Sequence, residues 1–270
     1  MSREPDSLPS EAGDSPQGPI VRVIGLCRGF DGTPVLKDVS IDFLTGRTTV
    51  VLGPSGCGKS VLLKHIIGLL KPDSGEVWFG DTRVDQLSEP HLGSVRRRFG
   101  FLFQHGALFD SMSVAENVEF PLREHTELDA TQRRRRVGEM LEMVGLADAL
   151  EKMPAELSGG QRKRIALARA IVLQPQVILY DEPTTGLDPI RADVINELII
   201  KLQRELNVTS IAVTHDLGSA FKIADLLLML YDGEVIASGT PDDIRTCDHP
   251  LVRQFLAGEA SAAADLGDDA

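Results

Sequence analysis

The sequence predicts an α/β fold: a mainly parallel sheet flanked by helices, with a helical block set into its middle. Three observations predict it. The β-branched run Thr48 to Leu52 ends in a glycine-rich loop that opens an apolar helical stretch, which is the beginning of a βαβ unit. The short apolar runs Val177–Tyr180 and Ser210–Val213 are separated by a segment of helical period, the alternation expected of a parallel sheet. Residues 112–173 read mostly as helix and form the inserted block.

In chain order, residues 1–19 are rich in Pro, Ser, Gly and acid and predict a disordered tail. From Ile20 the pattern is strand-like: Val21, Val23 and the run Val35–Phe43 cluster around the turn residues Asp31-Gly32. The helix after the glycine loop covers Val61–Leu70 and stops at Lys71-Pro72-Asp73-Ser74-Gly75. Within the helical block, Ala130–Gly145 places Val137, Met140, Leu141 and Val144 on one face, and a second helix runs from Gly160 to about Leu173. Asp188-Pro189 opens another helix with the stripe Val194, Leu198, Ile199, Leu202 and Leu206. Leu226–Tyr231, Asp232-Gly233 and Glu234–Ala237 read as a hairpin. Residues 259–270 form a second, acidic tail.

Composition narrows the function classes. The 270 residues suffice for a sizeable core, and 42% of them are hydrophobic. The formal net charge of −12 argues against a nucleic-acid partner. The basic runs Arg96–Arg98 and Arg133–Arg136 lack interleaved aromatics and read as solvated faces. Three widely spaced cysteines suggest neither a disulfide framework nor a zinc site, and predict a reduced, cytosolic setting. The longest apolar run, Leu226–Tyr231, falls far short of the ~18 residues that span a bilayer, and the N-terminus has no secretory pattern. Work at a membrane therefore requires partners that cross it.

Three motifs carry chemistry. Gly53-Pro54-Ser55-Gly56-Cys57-Gly58-Lys59-Ser60, followed by Val61, fits G-x-x-x-x-G-K-[ST]. Its backbone N–H groups and the following helix N-terminus suit phosphate oxygens, Lys59 suits the β- and γ-phosphates, and Ser60 suits Mg²⁺. Val177–Glu182 is an apolar strand ending in two carboxylates: Asp181 suits Mg²⁺ and Glu182 a general base for an attacking water. Leu157-Ser158-Gly159-Gly160-Gln161 precedes a basic amphipathic helix, with Ser158 placed to cap it and its first N–H groups forming a second anion site.

Together these motifs resemble the ATPase of ABC transporters, a P-loop NTPase (RecA-like) core with an N-terminal antiparallel β subdomain and a helical subdomain at about residues 105–172. Gly53–Ser60 resembles Walker A, Val177–Glu182 Walker B, and Leu157–Gln161 matches the signature LSGGQ; Gln104 matches the Q-loop, Gly186-Leu187-Asp188 the D-loop and His215 the switch histidine. The resemblance covers about residues 20–240 and implies ATP and Mg²⁺ as cofactors. It implies two copies sandwiching two ATP molecules, the phosphate loop of one facing Ser158, Gly159, Gly160 and Gln161 of the other, with Asp188 beside them. It implies Phe30 stacked on adenine, Gln104 near the metal, and Glu182, His215 and Gln104 serving hydrolysis. Cys57 lies where many family members also carry Cys, and no redox role is expected of it.

The stretches Phe101–Asp110 and Glu116–Thr126, with Leu251–Gly258, resemble one subfamily: the ATPase of the Mla (Mce-type) system, which moves phospholipid between inner and outer bacterial membranes. That resemblance implies a peripheral protein on the cytoplasmic face of the inner membrane. Its implied partners are integral membrane permease subunits, an Mce-domain lipid-binding protein and a small STAS-domain protein. Ala107, Leu108 and Phe109 suit a surface for the permease. The alternatives are the ATPase of another ABC importer, for amino acids or metal chelates, and a soluble ABC ATPase.

Overall fold

The computed structural model describes residues 18–259. The predicted tails lie outside this range except at their inner edges, where Pro19 already starts a strand and Glu259 follows the last helix. Strands β1 (Pro19–Phe30) and β2 (Thr33–Leu44) pair antiparallel about the expected turn Asp31-Gly32. Alternation sends Val21, Val23, Val39, Ile41 and Phe43 inward. Strand β3 (Thr48–Leu52) is buried along its whole length and runs into helix α1 (Lys59–Ile66). That helix ends before the predicted Leu70 because the N–H groups of Leu69 and Leu70 both turn back to the Lys64 carbonyl, at 2.8 and 3.2 Å.

Strands β4 (Ser74–Phe79) and β5 (Thr82–Arg83) complete an antiparallel sheet of order β2-β1-β4-β5. Helix α2 (Glu89–Arg96) leads to β6 (Phe99–Leu102). Three helices follow: α3 (Val114–His125), α4 (Ala130–Met143) and α5 (Gly159–Ile171). Each begins with a reciprocal capping box, at Ser113/Glu116, Asp129/Gln132 and Ser158/Gln161, and each such cap stabilises its helix by about 1 kcal/mol. The predicted face of α4, Val137, Met140, Leu141 and Val144, is buried.

The chain then alternates: β7 (Val177–Asp181), α6 (Pro189–Leu206), β8 (Thr209–Thr214), α7 (Leu217–Ile223), β9 (Leu226–Tyr231), β10 (Glu234–Gly239), α8 (Pro241–Arg245) and α9 (Pro250–Ala257). On α6 the predicted stripe is rotated: Val194 faces outward at 47% exposure, and Ile195 packs inward with Leu198, Ile199 and Leu202. The main sheet has the order β10-β9-β3-β8-β7-β6. All its pairings are parallel except β9 with β10. One face packs on the antiparallel sheet and α1 through Val51, Leu62, Ile66, Leu179 and Val213. The other packs on the helical block, α6 and α7 through Leu102, Ile165, Ile178, Tyr180 and Ala212. The sheet is thus the middle layer of three, and its carboxyl edge gathers the ends of β3, β6, β7 and β8.

Candidate functional site

Ligands of open α/β sheets bind outside the carboxyl ends of the strands, and the motif residues converge there. The loop after β3 is held by close packing. A Cβ on Gly53 would lie 2.1 Å from the Leu230 carbonyl oxygen and 2.9 Å from Cys57 Sγ, and Gly58 adopts φ 104 at the entrance to α1. Gly58 offers no side chain to cap α1, and the first turn holds no acid, so the helix N-terminus keeps its N–H groups and its positive dipole end for an anion. Lys59 folds over the loop, Nζ donating to the carbonyls of Gly53 and Pro54 at 2.8 Å each. Cys57 is a buried free thiol whose pKa burial pushes up.

At the end of β7, the Ser60 hydroxyl donates to Asp181 Oδ1 at 2.7 Å. Burial raises the Asp181 pKa, and the Ser60 hydrogen bond works against that rise. Glu182 is held on every side. Its N–H donates to the Val213 carbonyl at 3.0 Å. Its carboxylate accepts from the hydroxyls of Thr185 and Thr214 at 3.2 Å each, meets His215 Nδ1 at 3.0 Å, and lies 3.7 Å from Lys59 Nζ. His215 itself is about half exposed. A carboxylate fixed in one rotamer beside an ammonium and an imidazole is suited to orient and deprotonate a water.

Ser55, Gly56, Gly58, Lys59, Ser60, Val61, Gln104, Glu182 and His215 line a single cleft of about 330 Å³. Gln104 reaches it from the loop after β6. The Ser158–Gln161 motif is not among the lining residues. It starts α5, with Ser158 accepting from the Gln161 N–H at 3.3 Å, Gly159 packed toward Leu187 and Gly160 toward Arg191. Asp188 caps α6 by accepting from the Arg191 N–H at 3.0 Å, so the signature and the Gly186–Asp188 turn lie against each other. Phe30 ends β1, 38% exposed, with the Arg28 guanidinium 4.7 Å from its ring centroid. The chain therefore carries the glycine-loop motif inside the cleft and the Ser158–Gln161 motif outside it.

Several residues of the site were not anticipated. Val35 lines the cleft, and Thr185 and Thr214 hold Glu182. The buried Thr184, Ser219 and Asn196, with the half-buried Asp216, form a polar chain that ties the strand end of β7 to α7 and α6: Ser219 donates to Asp216 at 2.6 Å, and Asn196 donates to Ser219 at 2.9 Å. Thr214 had a signal, a hydroxyl immediately before a candidate histidine. The Thr184 chain had none, because its links from Thr184 to Asp216 and Ser219 cross 32 and 35 positions.

A strand, glycine loop and helix beside an acid-ended strand, at the carboxyl edge of a parallel sheet, define a P-loop nucleotide-binding ATPase. The ABC transporter family model matches residues 36–185, and the chain belongs to that family as its ATP-hydrolysing subunit. It is 43% identical over 246 residues to the probable ribonucleotide transport ATP-binding protein mkl of Mycobacterium leprae, covering 91% of this chain and 71% of that protein. It is 46% identical over 226 residues to the intermembrane phospholipid transport system ATP-binding protein MlaF of Haemophilus influenzae, covering 84% of this chain and 86% of the relative. Among solved structures it resembles the dimeric post-hydrolysis state of the ATP-binding cassette MJ0796 bound to ADP and Pi, with 34% identity, a TM-score of 0.76, and coverage of 82% of this chain and 98% of that one. No helix among the described residues is long and apolar enough to cross a membrane.

Proposed function

We propose that this chain powers phospholipid transport between the inner and outer membranes of a bacterium, working as a pair of identical ATPase subunits on the cytoplasmic face of the inner membrane. The observation that carries the chemical half of this reading is the clamped Glu182 carboxylate facing Lys59 across the phosphate-loop cleft. The MlaF relatives, 43% to 46% identical over 84% of the chain, support the transport half.

In this reading Gly53–Val61 wrap the phosphates and Lys59 shifts from the Gly53 and Pro54 carbonyls to the β- and γ-phosphates. Phe30 stacks on adenine. Ser60 and Asp181 fit a magnesium ion: a hydroxyl and a carboxylate oxygen already 2.7 Å apart match its preference for hard oxygen ligands, with Gln104 beside them. Bound there, the metal neutralises charge on the phosphates. Glu182 takes the proton of the attacking water, while His215, Thr185 and Thr214 keep its carboxylate in place. The signature lies outside the cleft of its own chain, so a second copy supplies Ser158, Gly159, Gly160 and Gln161 to complete each site, with Asp188 at the seam. A Ser158→Arg variant is expected to bind ATP at its own phosphate loop with near-normal affinity yet lose hydrolysis, read by parallel nucleotide-binding and phosphate-release assays. Normal turnover would remove Ser158 from the composite site.

The permease surface is an apolar groove of about 470 Å³ lined by Phe99, Phe101, Phe103, Ala107, Phe109 and Phe120. The rings of Phe101 and Phe103 stack at 4.1 Å, and Arg169 holds the loop by donating to the carbonyls of Gly106 and Ala107 at 2.9 and 2.8 Å. Leu108, beside this loop, is partly buried against the core. A short apolar helix of the membrane subunit suits this groove, and its displacement would be felt at Gln104, between groove and cleft. An Mce-domain protein and a small STAS-domain protein complete the proposed assembly. Mild-detergent purification of the tagged chain from its native membrane, with mass spectrometry of what accompanies it, tests the transport reading. A permease, an Mce-domain protein and phospholipid are expected. A permease with ribonucleotides or another soluble solute would assign the ATPase to a different cargo.

A further inference from the structure

We infer that Lys163 is a positioning residue for hydrolysis, tying the start of the signature helix to the backbone that carries Glu182. The inference rests on the catalytic reading of Glu182 given above.

Lys163 is 5% exposed. A buried ammonium is costly unless its donors are used. Its Nζ donates to the carbonyl oxygens of Glu182 and Pro183, at 3.1 and 2.7 Å. Burial brings its pKa down to about 8, with the Glu182 carboxylate pulling the other way. A lysine placed for packing alone would leave its head in water. This one grips two consecutive peptide groups instead.

Those peptide groups need the grip. Glu182 has φ 48, in the left-handed region, where a residue with a side chain is strained. It also precedes Pro183, and a residue before proline is driven toward extended conformations. The strain aims the carboxylate at Lys59, His215 and Thr214 rather than along the strand direction. Strained residues persist where their surroundings over-determine them. Here the N–H is fixed by Val213 and the carboxylate by Thr185 and Thr214. The carbonyl side is fixed by Lys163, together with the N–H of Thr185 at 3.3 Å.

The position of Lys163 gives the contact a second meaning. It is five residues past Ser158 on the same helix, α5, whose N-terminal turn is the signature. One side chain thus joins the helix of that turn to the peptide that orients the Glu182 carboxylate. The signature of a chain and the Glu182 of the same chain belong to different composite sites. In the proposed two-copy arrangement Lys163 thereby links the signature helix of one site to the Glu182 backbone of the other.

The test is a cycle with Glu182→Gln, read as kcat and KM for ATP. Lys163→Met keeps the apolar stem and removes the donors. It is expected to lower kcat about tenfold or more with KM for ATP within twofold, and Lys163→Arg, which keeps charge and donors, is expected to recover most of the loss. In the Glu182→Gln background, Lys163→Met is expected to add nothing further to single-turnover hydrolysis. An unchanged kcat, or the same loss repeated in the Glu182→Gln background, would overturn the inference. Should Lys163→Met not fold, Lys163→Leu, which also lacks donors, takes its place in the same cycle and is read the same way. If Glu182→Gln by itself leaves turnover intact, it is the catalytic reading that fails; if Glu182→Gln stops turnover and Lys163→Met does not lower kcat, only the role of Lys163 fails.

Discussion

Replacing Glu182 with glutamine is expected to slow ATP hydrolysis by roughly 10²–10⁴-fold while ATP still binds. The substitution is nearly isosteric, so the pocket made by Thr185, Thr214 and His215 stays filled. What disappears is the negative charge and with it the ability to accept a proton. Binding is expected to persist because Lys59, released from a carboxylate 3.7 Å away, stays available to the phosphates. Steady-state phosphate release together with fluorescent-nucleotide titration separates the two effects. Unchanged turnover would remove Glu182 from the chemistry, and lost binding would show that its role is to hold the loop.

The second large effect is expected from Lys59→Ala. Lys59 is 6% exposed and donates twice into its own loop. Its ammonium closes the loop, and in the proposed function it moves from there to the phosphates. Hydrogen bonds to charged groups contribute about 1.5–3 kcal/mol each, so losing the two that Lys59 is proposed to make to the β- and γ-phosphates weakens ATP affinity by roughly 10²–10⁴-fold. Isothermal titration with ATP and magnesium checks it. Affinity within a factor of three of the unmodified chain would contradict the phosphate-loop assignment.

The parts of the site that were legible in the sequence are those whose chemistry is written locally. Gly53–Ser60 states its own geometry, since glycines precede a lysine and a hydroxyl at a helix start. Val177–Glu182 states its own burial and its acids. The capping role of Ser158 follows from Gln161 three residues later, and the structure forms that box. Strand β6 was not legible: four residues with a glycine among them carry too little period, and their burial comes from α5 packed above. The outward turn of Val194 on α6 was not legible either, because Ile195 competes for the same face and the neighbouring α7 decides between them. Lys163 had a trace in the sequence, since it falls at helical spacing from Gly160, Ala166 and Leu167, all of which are buried. A lysine within an apolar stripe marks a buried partner, but only the fold shows that the partner is the backbone of Glu182.

The composite site is the central claim, and mixing two inactive chains tests it most directly. Lys59→Ala removes the phosphate loop and keeps the signature; Ser158→Arg does the reverse. Each variant alone is expected to be inactive. In a mixed pair, the phosphate loop of the Ser158→Arg copy faces the intact signature of the Lys59→Ala copy, so one working site is restored. ATPase activity is expected to reappear on mixing and to peak near equal amounts of the two. Mixtures that stay inactive at every ratio, or a Ser158→Arg chain that hydrolyses ATP as a monomer, would contradict the account.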